Sequence, residues 1–585
     1  MSGFRLHAWT VAAAIAILPA SFGADKDPPK SPPKAAPKKP PAGRLSALMT
    51  KLRTPAKPGK VDEIKPYANS NDRQNLKSVN PRTLGAPLTP ERLDSTLAAE
   101  LEAAEARPGK PISDAQFVRR VYLDLIGQLP APADISDYLA DASPDKKAKL
   151  IDRLLALPEF GVNWGKYWHD AISYRNTGGK NREFPFALES WLVERFNAGD
   201  GWDKIVAAML TANGPSDENP QGMFIAAHDG MAAELAGETA RLFLGIQISC
   251  AQCHDHPTDH WKRDQFHELA AFYGKTALRP VVNNGMRAGF QITTRGGRTG
   301  GEYRKPNLQD PSDPGTVVQP AFLTGQPLPP GQADLDRRKA LAEFVTSRKN
   351  GYFAKAFVNR VWAEMIGEGF TPAVDDLGDQ HPPVFPKTFE ALGRSFAATN
   401  FDVKKLFRLV ALSSAYGTNL AGAEGESESN GVQPTRLTAA QIYDSLRWTL
   451  GGLGERTARD GFVGPRLRAQ SFGGMMETAF GFDPSSDAGS LEGSIPQALL
   501  LMNNAQLHAR IAGKSTDDLL PKLLKSHPKD EDAIVALYLR VLARRPSQEE
   551  ISRCHSYLRE ASGRTEAFED LLWALLNTAE FLHNH

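Results

Sequence analysis

The stretch Ser113-Asp114-Ala115-Gln116-Phe117-Val118-Arg119-Arg120-Val121-Tyr122-Leu123-Asp124-Leu125-Ile126-Gly127 decides the fold class. Its apolar residues Phe117, Val118, Val121, Tyr122, Leu125 and Ile126 recur three and four residues apart, which puts them on one face of a helix. Ser113 stands where a capping side chain satisfies the first free amides, and Gly127 followed by Pro130 stops the helix. The same grammar continues outward. Ser143-Pro144 opens a second helix, whose Leu150, Ile151, Leu154, Leu155 and Leu157 build an apolar face before Pro158. Trp164, Tyr167, Trp168, Trp191, Phe196 and Trp202 predict a core packed around large rings.

Residues 89–275 therefore read as helical, and helical texture returns from Ala333 nearly to the end. There Ser547 and Glu550 have capping-box spacing, and Phe568, Leu571, Leu572, Ala574, Leu575 and Phe581 line a last helix. Between them the texture changes. Gln291-Ile292-Thr293-Thr294, the glycine-rich Arg295–Gly301 and Glu302-Tyr303-Arg304 read as a short hairpin, and a proline-rich crossing runs from Pro306 to Pro330. The expected architecture is mainly α: helical domains at 85–277 and 333–585, joined by a β-hairpin and proline-rich connector at 278–332. No short-period repeat indicates a solenoid.

A chain of 585 residues is too long for one small core. With 41% hydrophobic and 23% charged residues and a net charge of +1, neither wholesale disorder nor a polycationic nucleic-acid coat is supported, so no nucleic-acid partner is expected. Arg5, the apolar run Ala8–Leu18 and the small residues Ser21 and Gly23 predict a secretory signal peptide over residues 1–24, too short to span a bilayer. No cysteine follows for a lipid anchor, and no later stretch reaches transmembrane length. The mature protein is thus expected in the periplasm or outside the cell. Residues 25–84 are expected to form a disordered, extended Lys/Pro-rich tether, since 26–60 holds ten Lys or Arg, nine Pro and one acid, Asp27. That segment carries +9 and residues 61–585 carry −8. The tether therefore reads as a spacer, an electrostatic grip on an anionic envelope surface, or a tail that folds back on an acidic body.

Chemistry is written most plainly in Cys250-Ala251-Gln252-Cys253-His254-Asp255-His256-Pro257-Thr258-Asp259-His260-Trp261. Cys-x-x-Cys-His is the attachment pattern of c-type haem: two thiols reach the two vinyl groups while the adjoining imidazole meets the iron. Cys250, Cys253 and His254 are the candidate haem residues, with His254 the proximal ligand. Candidates for the opposite face are His169, His228, His260, His267, Met209, Met223 and Met231, while Asp255 and Asp259 are either acceptors for imidazole N–H groups or, as favoured for Asp259, solvated charges. Two rivals compete. Cys250 and Cys253 can form a local disulfide, or can hold zinc with two of His254, His256 and His260. A thioredoxin-like pair is disfavoured, because no βαβ texture surrounds the motif.

Weaker candidates lie beyond the connector. Asn359, Arg360, Trp362, Asp375, Asp376 and His381, then Ser413, Ser414 and Tyr416, offer polar chemistry, but adjacent carboxylates point apart and Arg360 reads as a buried ion-pair partner. Cys554-His555 reads as a packed lone cysteine. No nucleophile elbow, phosphate loop or HExxH helix is present, and whether the protein is an enzyme is left open.

Several of these runs resemble a family of exported proteins best known from planctomycetes, which join a cytochrome-like domain of unknown function (number fifteen forty-nine) to a second one (number fifteen fifty-three). The matching residues are Arg119 to Gly127, Cys250 to Pro257 and Leu269-Ala270-Ala271-Phe272-Tyr273 in the first domain. In the second they are Val358-Asn359-Arg360-Val361-Trp362, Val374-Asp375-Asp376, Pro434 to Thr438, Ser494 to Leu499 and Asn577 to Leu582. The resemblance spans nearly everything after about residue 85. It implies a cytochrome-like role resting on the same cysteine-histidine motif. Thr258 departs from the Phe that many relatives carry, and the further cytochrome module found ahead of these domains in many relatives has no counterpart. The expected function is that of an exported haem c protein in electron transfer or redox chemistry, served by a redox partner protein. The alternative is a non-enzymatic envelope protein that binds polysaccharide or protein and uses the cysteines as a zinc or disulfide structural site.

Overall fold

A computed structural model describes residues 86–104, 111–174, 185–283, 286–295, 301–378, 380–418, 435–451, 471–486, 493–513 and 518–584. The expected leader at 1–24 and tether at 25–84 lie outside these residues. The described chain is mainly α-helical, as its periodicity predicts.

Ahead of the connector run α1 (Pro90–Ala103), α2 (Asp114–Ile126), α3 (Pro132–Ala140), α4 (Lys146–Ala156), α5 (Pro158–Ser173) and α6 (Pro185–Ala198). They are followed by α7 (Trp202–Leu210), α8 (Met223–Ala227), α9 (Ala232–Thr239) and α10 (Arg263–Ala270). Beyond it come α11 (Asp334–Val345), α12 (Gly351–Ile366), α13 (Pro386–Ala398) and α14 (Val403–Leu412). The last set is α15 (Ala439–Leu450), α16 (Phe472–Phe480), α17 (Ile495–Asn503), α18 (Ala505–Ile511), α19 (Leu519–Ser526), α20 (Asp530–Leu542), α21 (Gln548–Glu560), α22 (Arg564–Leu576) and α23 (Ala579–Leu582).

Local chemistry sets the ends of α2 as expected. Ser113 and Gln116 exchange side-chain-to-backbone hydrogen bonds in a capping box, and Gly127 takes the left-handed conformation at φ +71°. Its surroundings differ from an amphipathic expectation. Every residue from Phe117 to Ile126 is buried, the charged Arg119, Arg120 and Asp124 included. The reason is that α2 lies between two hydrophobic cores and touches both.

The first core gathers α1–α14. Its rings interlock as the aromatic composition predicts: Trp168 lies 4.2 Å from Trp202 and stacks on Phe357 at 5.5 Å, while Trp164 lies 4.3 Å from Phe407. Phe357 and Phe407 belong to α12 and α14, so helices from both sides of the connector build one core. The second core is made by α15–α23, with Leu123 from α2 and Leu129 just after it.

Strands are few and short. The connector begins with a hairpin of β2 (Thr276–Asn283) and β3 (Met286–Thr294), and β1 (Gly214–Pro215) pairs with the far side of β3. The pairing expected between Gln291–Thr294 and Glu302–Arg304 does not form. Gln291 pairs with Arg279, and Arg304 of β4 (Arg304–Lys305) pairs with Val317 of β5 (Thr316–Val317). Pro280 hides the true first strand in the sequence, because proline lacks a ladder donor. It is tolerated because β2 is an edge strand of the order β1-β3-β2. A last pair joins β6 (Thr435–Arg436) to β7 (His583–Asn584) and brings the end of the chain back onto α2. Among the described residues, no helix is long and apolar enough to cross a membrane.

Candidate functional site

The cysteine-histidine segment is positioned by the turns around it. After α9 the chain tightens into a π-helical turn, Ala240–Leu244, and stops at Gly245 in the left-handed conformation, φ +64°. A Cβ there would lie 2.8 Å from the Leu377 side chain, whose backbone N–H donates to the Gly245 carbonyl at 2.7 Å. A 3₁₀ turn, Ile248–Gln252, follows. Ile248 and Ala251 point into the core, so Cys250 and Cys253 point out.

Both cysteines are exposed and free, so the disulfide is not formed in this structure. His254 is exposed as well. Its Nδ1 lies 2.7 Å from the Asp255 carbonyl. A carbonyl only accepts, so Nδ1 carries the proton and Nε2 keeps its lone pair free. That is the arrangement a metal-binding imidazole requires, with the backbone setting tautomer and ring orientation. The donor set of two accessible thiols and one pre-oriented imidazole therefore suits covalent haem c.

The base of the loop is pinned from below by His267, fully buried on α10. Its Nε2 donates to the Gln252 carbonyl at 3.0 Å, and its Nδ1 accepts from the Tyr303 hydroxyl at 2.9 Å. Burial pushes this imidazole down to about 4, so it stays neutral. With both nitrogens committed, His267 leaves the set of opposite-face candidates. The Asp255 carboxylate accepts from Arg263 N–H at 3.0 Å and pairs with Lys262 at 3.0 Å, so it anchors the start of α10 rather than an imidazole. The Arg263 bond holds it below the ordinary carboxylate range.

Asp259 is not the solvated charge expected. Its side chain is 9% exposed, its Oδ1 accepts from His260 N–H and faces His260 Nδ1 at 2.7 Å, and its carboxylate is packed against Gly378. Burial opposes its charge, yet the His260 hydrogen bonds hold it below its usual range. His256 accepts from Thr258 N–H at 3.3 Å, while its own backbone closes the loop onto the buried Trp261. Among the described residues no group of three or more His, Cys, Asp and Glu is arranged to hold a metal ion, so His256 and His260 do not converge with the thiols as a zinc site needs.

The remaining candidates are scattered. His228 is buried edge-on to Phe224 at 5.6 Å with Nε2 unbonded, and burial lowers its basicity. His169 bonds Asp170 at 3.0 Å. Met209 and Met223 are buried in the first core, and Met231 is exposed.

Beyond the connector the polar residues are mostly structural. Asn359 ties the turn after α12 through Thr371, Val374 and Phe370. Trp362 packs against Phe370 at 4.7 Å with the rings tilted by 32°. Arg360 is a buried ion-pair partner, as expected: it faces Asp375 at 3.5 Å and Ser485 at 3.1 Å over the Trp168 ring. Asp375 also accepts from Arg241 and from Gln247, each at 2.8 Å, which joins the approach to the cysteine turn to the second domain. Arg241 and Gln247 belong to no motif, so nothing in the sequence marks them. Asp376 is turned away and meets His381 at 3.0 Å. Ser413 serves a local turn through the Val410 carbonyl, the Ser414 N–H donates to Asp94 at 2.7 Å, and the Tyr416 hydroxyl donates to Asp124 at 2.6 Å. Cys554 is a packed lone thiol that burial pushes up to about 11.

Residues 92–277 match the family model PSCyt2, a protein of unknown function (DUF1549), and residues 337–472 match PSD1, a protein of unknown function (DUF1553). No curated protein and no solved structure matches the chain. The two matches give the chain the PSCyt2–PSD1 domain order that its sequence resembles, with the cysteine-histidine turn inside the first match and the Asn359–Asp376 region inside the second.

Proposed function

We propose that this is an exported c-type haem protein, with haem attached to the thiols of Cys250 and Cys253 and His254 as the proximal ligand, acting in electron transfer in the cell envelope. The observation that carries the reading is the outward turn that exposes both thiols beside an imidazole whose Nε2 is kept free by the Asp255 carbonyl. The cytochrome-derived name of the first domain agrees with it. When bound, haem would supply a one-electron couple whose potential follows from its axial ligands and exposure. The chain's own part is positional. Ile248, Ala251 and Trp261 anchor the loop in the core, and His267 and Arg263 hold the Gln252 carbonyl. An exposed thiol pair would leave the haem edge open to a partner protein, which suits electron transfer over buried redox catalysis. The signal-like N-terminus supports export, where covalent haem is assembled.

Expression of the full chain in a host with cytochrome c maturation tests this. Purified protein is expected to be red, to keep its colour through acid-acetone extraction, and to gain the mass of one porphyrin. The Cys250→Ser/Cys253→Ser variant is expected to be colourless but folded. Colourless wild-type protein of apo mass from that host overturns the reading.

A further inference from the structure

A cavity of about 260 Å³ lies where α2, α5 and α12 of the first core meet α15 and α16 of the second, and none of Cys250, Cys253 and His254 lines it. Four carboxyl groups line it: Asp124, Asp170, Glu364 and Glu477. Among its lining residues Lys166 is the one lysine or arginine, and it is held between Asp170 at 3.1 Å and Glu477 at 3.5 Å. Trp164, Tyr167 and Tyr174 give the cavity its aromatic wall. An anionic ligand would meet no uncommitted cation there. A wholly apolar ligand would have to dry the carboxyl groups, at several kcal/mol for each unpaired charge. Carboxylates in excess of cations beside ring faces are the chemistry that holds an organic cation, by ion pairing and by attraction to the negative face of the rings.

We propose that this cavity is a binding site for a small organic cation, a primary ammonium group on a short carbon frame, its charge held by Glu364 and Asp124 and its frame lying on Trp164 and Tyr167. The surroundings of the two carboxyl groups agree. Burial raises both to about 7. Asp124 is brought part of the way back by Arg120 at 3.8 Å and by hydrogen bonds from Tyr416 and Asn584. Glu364 is lowered by the Tyr167 hydroxyl, raised by Asp124 and lowered by Arg360. Asp170 contrasts with them: burial opposes its charge, yet Lys166 and His169 hold it ionised. A bound ammonium takes the place of the protons on Asp124 and Glu364. Affinity therefore rises with pH through 7 and levels off above it, by about tenfold between pH 6 and pH 8 for one displaced proton.

Calorimetry on the full chain tests this with ethanolamine and putrescine, and with glucose and succinate as neutral and anionic counterparts, at pH 6, 7 and 8. Either amine is expected to bind about tenfold more tightly at pH 8 than at pH 6, with proton release seen as a heat that changes with the buffer. Glu364→Gln, with folding checked by circular dichroism, is expected to weaken binding at least tenfold and to flatten the pH dependence. Should that variant fail to fold, the wild-type pH dependence and proton release decide alone. Lack of binding by both amines, or amine binding unchanged in folded Glu364→Gln, overturns the proposal. Glucose binding without pH dependence reassigns the cavity to a neutral polyol, and succinate binding to an anion.

Discussion

Single side chains here are decided by what buries them. His267 is the clearest case: an imidazole far below its ordinary range, donating to the carbonyl that precedes Cys253. Its folded-state value of about 4 lies under the unfolded value near 6.5. The unfolded chain takes up the proton first as pH falls, so His267 withdraws stability between pH 6.5 and 4 and has no effect above that window. His267→Gln keeps a donor for Gln252 without a titrating ring. Urea denaturation at pH 7.5 and pH 4.5 should show the wild type losing more stability between the two than this variant does; equal losses would remove His267 from the account. The histidine itself is visible in the sequence, thirteen residues after His254, but not its commitment. Tyr303, its second partner, is 36 residues away, inside the connector.

Elements were legible where their determinants are local. The capping box at Ser547 and the helix start at Ser113 form as expected, the latter with Gln116 as its reciprocal partner, because both partners lie within one helical turn. The π-helical turn and the stop at Gly245 had no such signal, since what demands a glycine there is Leu377, delivered from the other domain. Gly245→Ala combines a left-handed φ with a close contact, and should cost about 2–4 kcal/mol. Thermal unfolding measures it. An unchanged midpoint would mean that Leu377 yields freely. The hairpin uses a different partner strand from the one its sequence suggests for a comparable reason: Pro280 argues against a strand until the sheet order shows that it sits on the edge.

At the scale of the whole molecule, α2 is the keystone between two cores. Arg119 donates to the carbonyls of Glu580 and His583, Arg120 to those of Met365 and Tyr416, and Asp124 accepts from Tyr416 and Asn584. A second buried hub holds Asp375 between Arg241, Arg360 and Gln247. Asp375→Ala takes a counter-charge from buried Arg360 and leaves Arg241 with Glu238 alone, and should cost about 3–5 kcal/mol in urea denaturation. Asp376→Ala, beside the half-exposed His381, should cost less than about 1 kcal/mol. Similar losses for the two would refute the hub. By itself, the sequence determined the helical class, the capped starts of α2 and α21 (the cap expected at Ser143 does not form, α4 starting at Lys146 after Asp145), the paired domain pattern and the cysteine-histidine motif. Each of these is written in interactions that reach about one helical turn, or in short fixed spacings. Only the tertiary structure decided that helices from both sides of the connector share one core, that the charged residues of α2 are interior, and that carboxyl groups from distant helices converge on one cavity. Those outcomes depend on which buried polar groups meet across hundreds of residues, because burial without a partner is costly enough to favour the arrangement that pairs most of them.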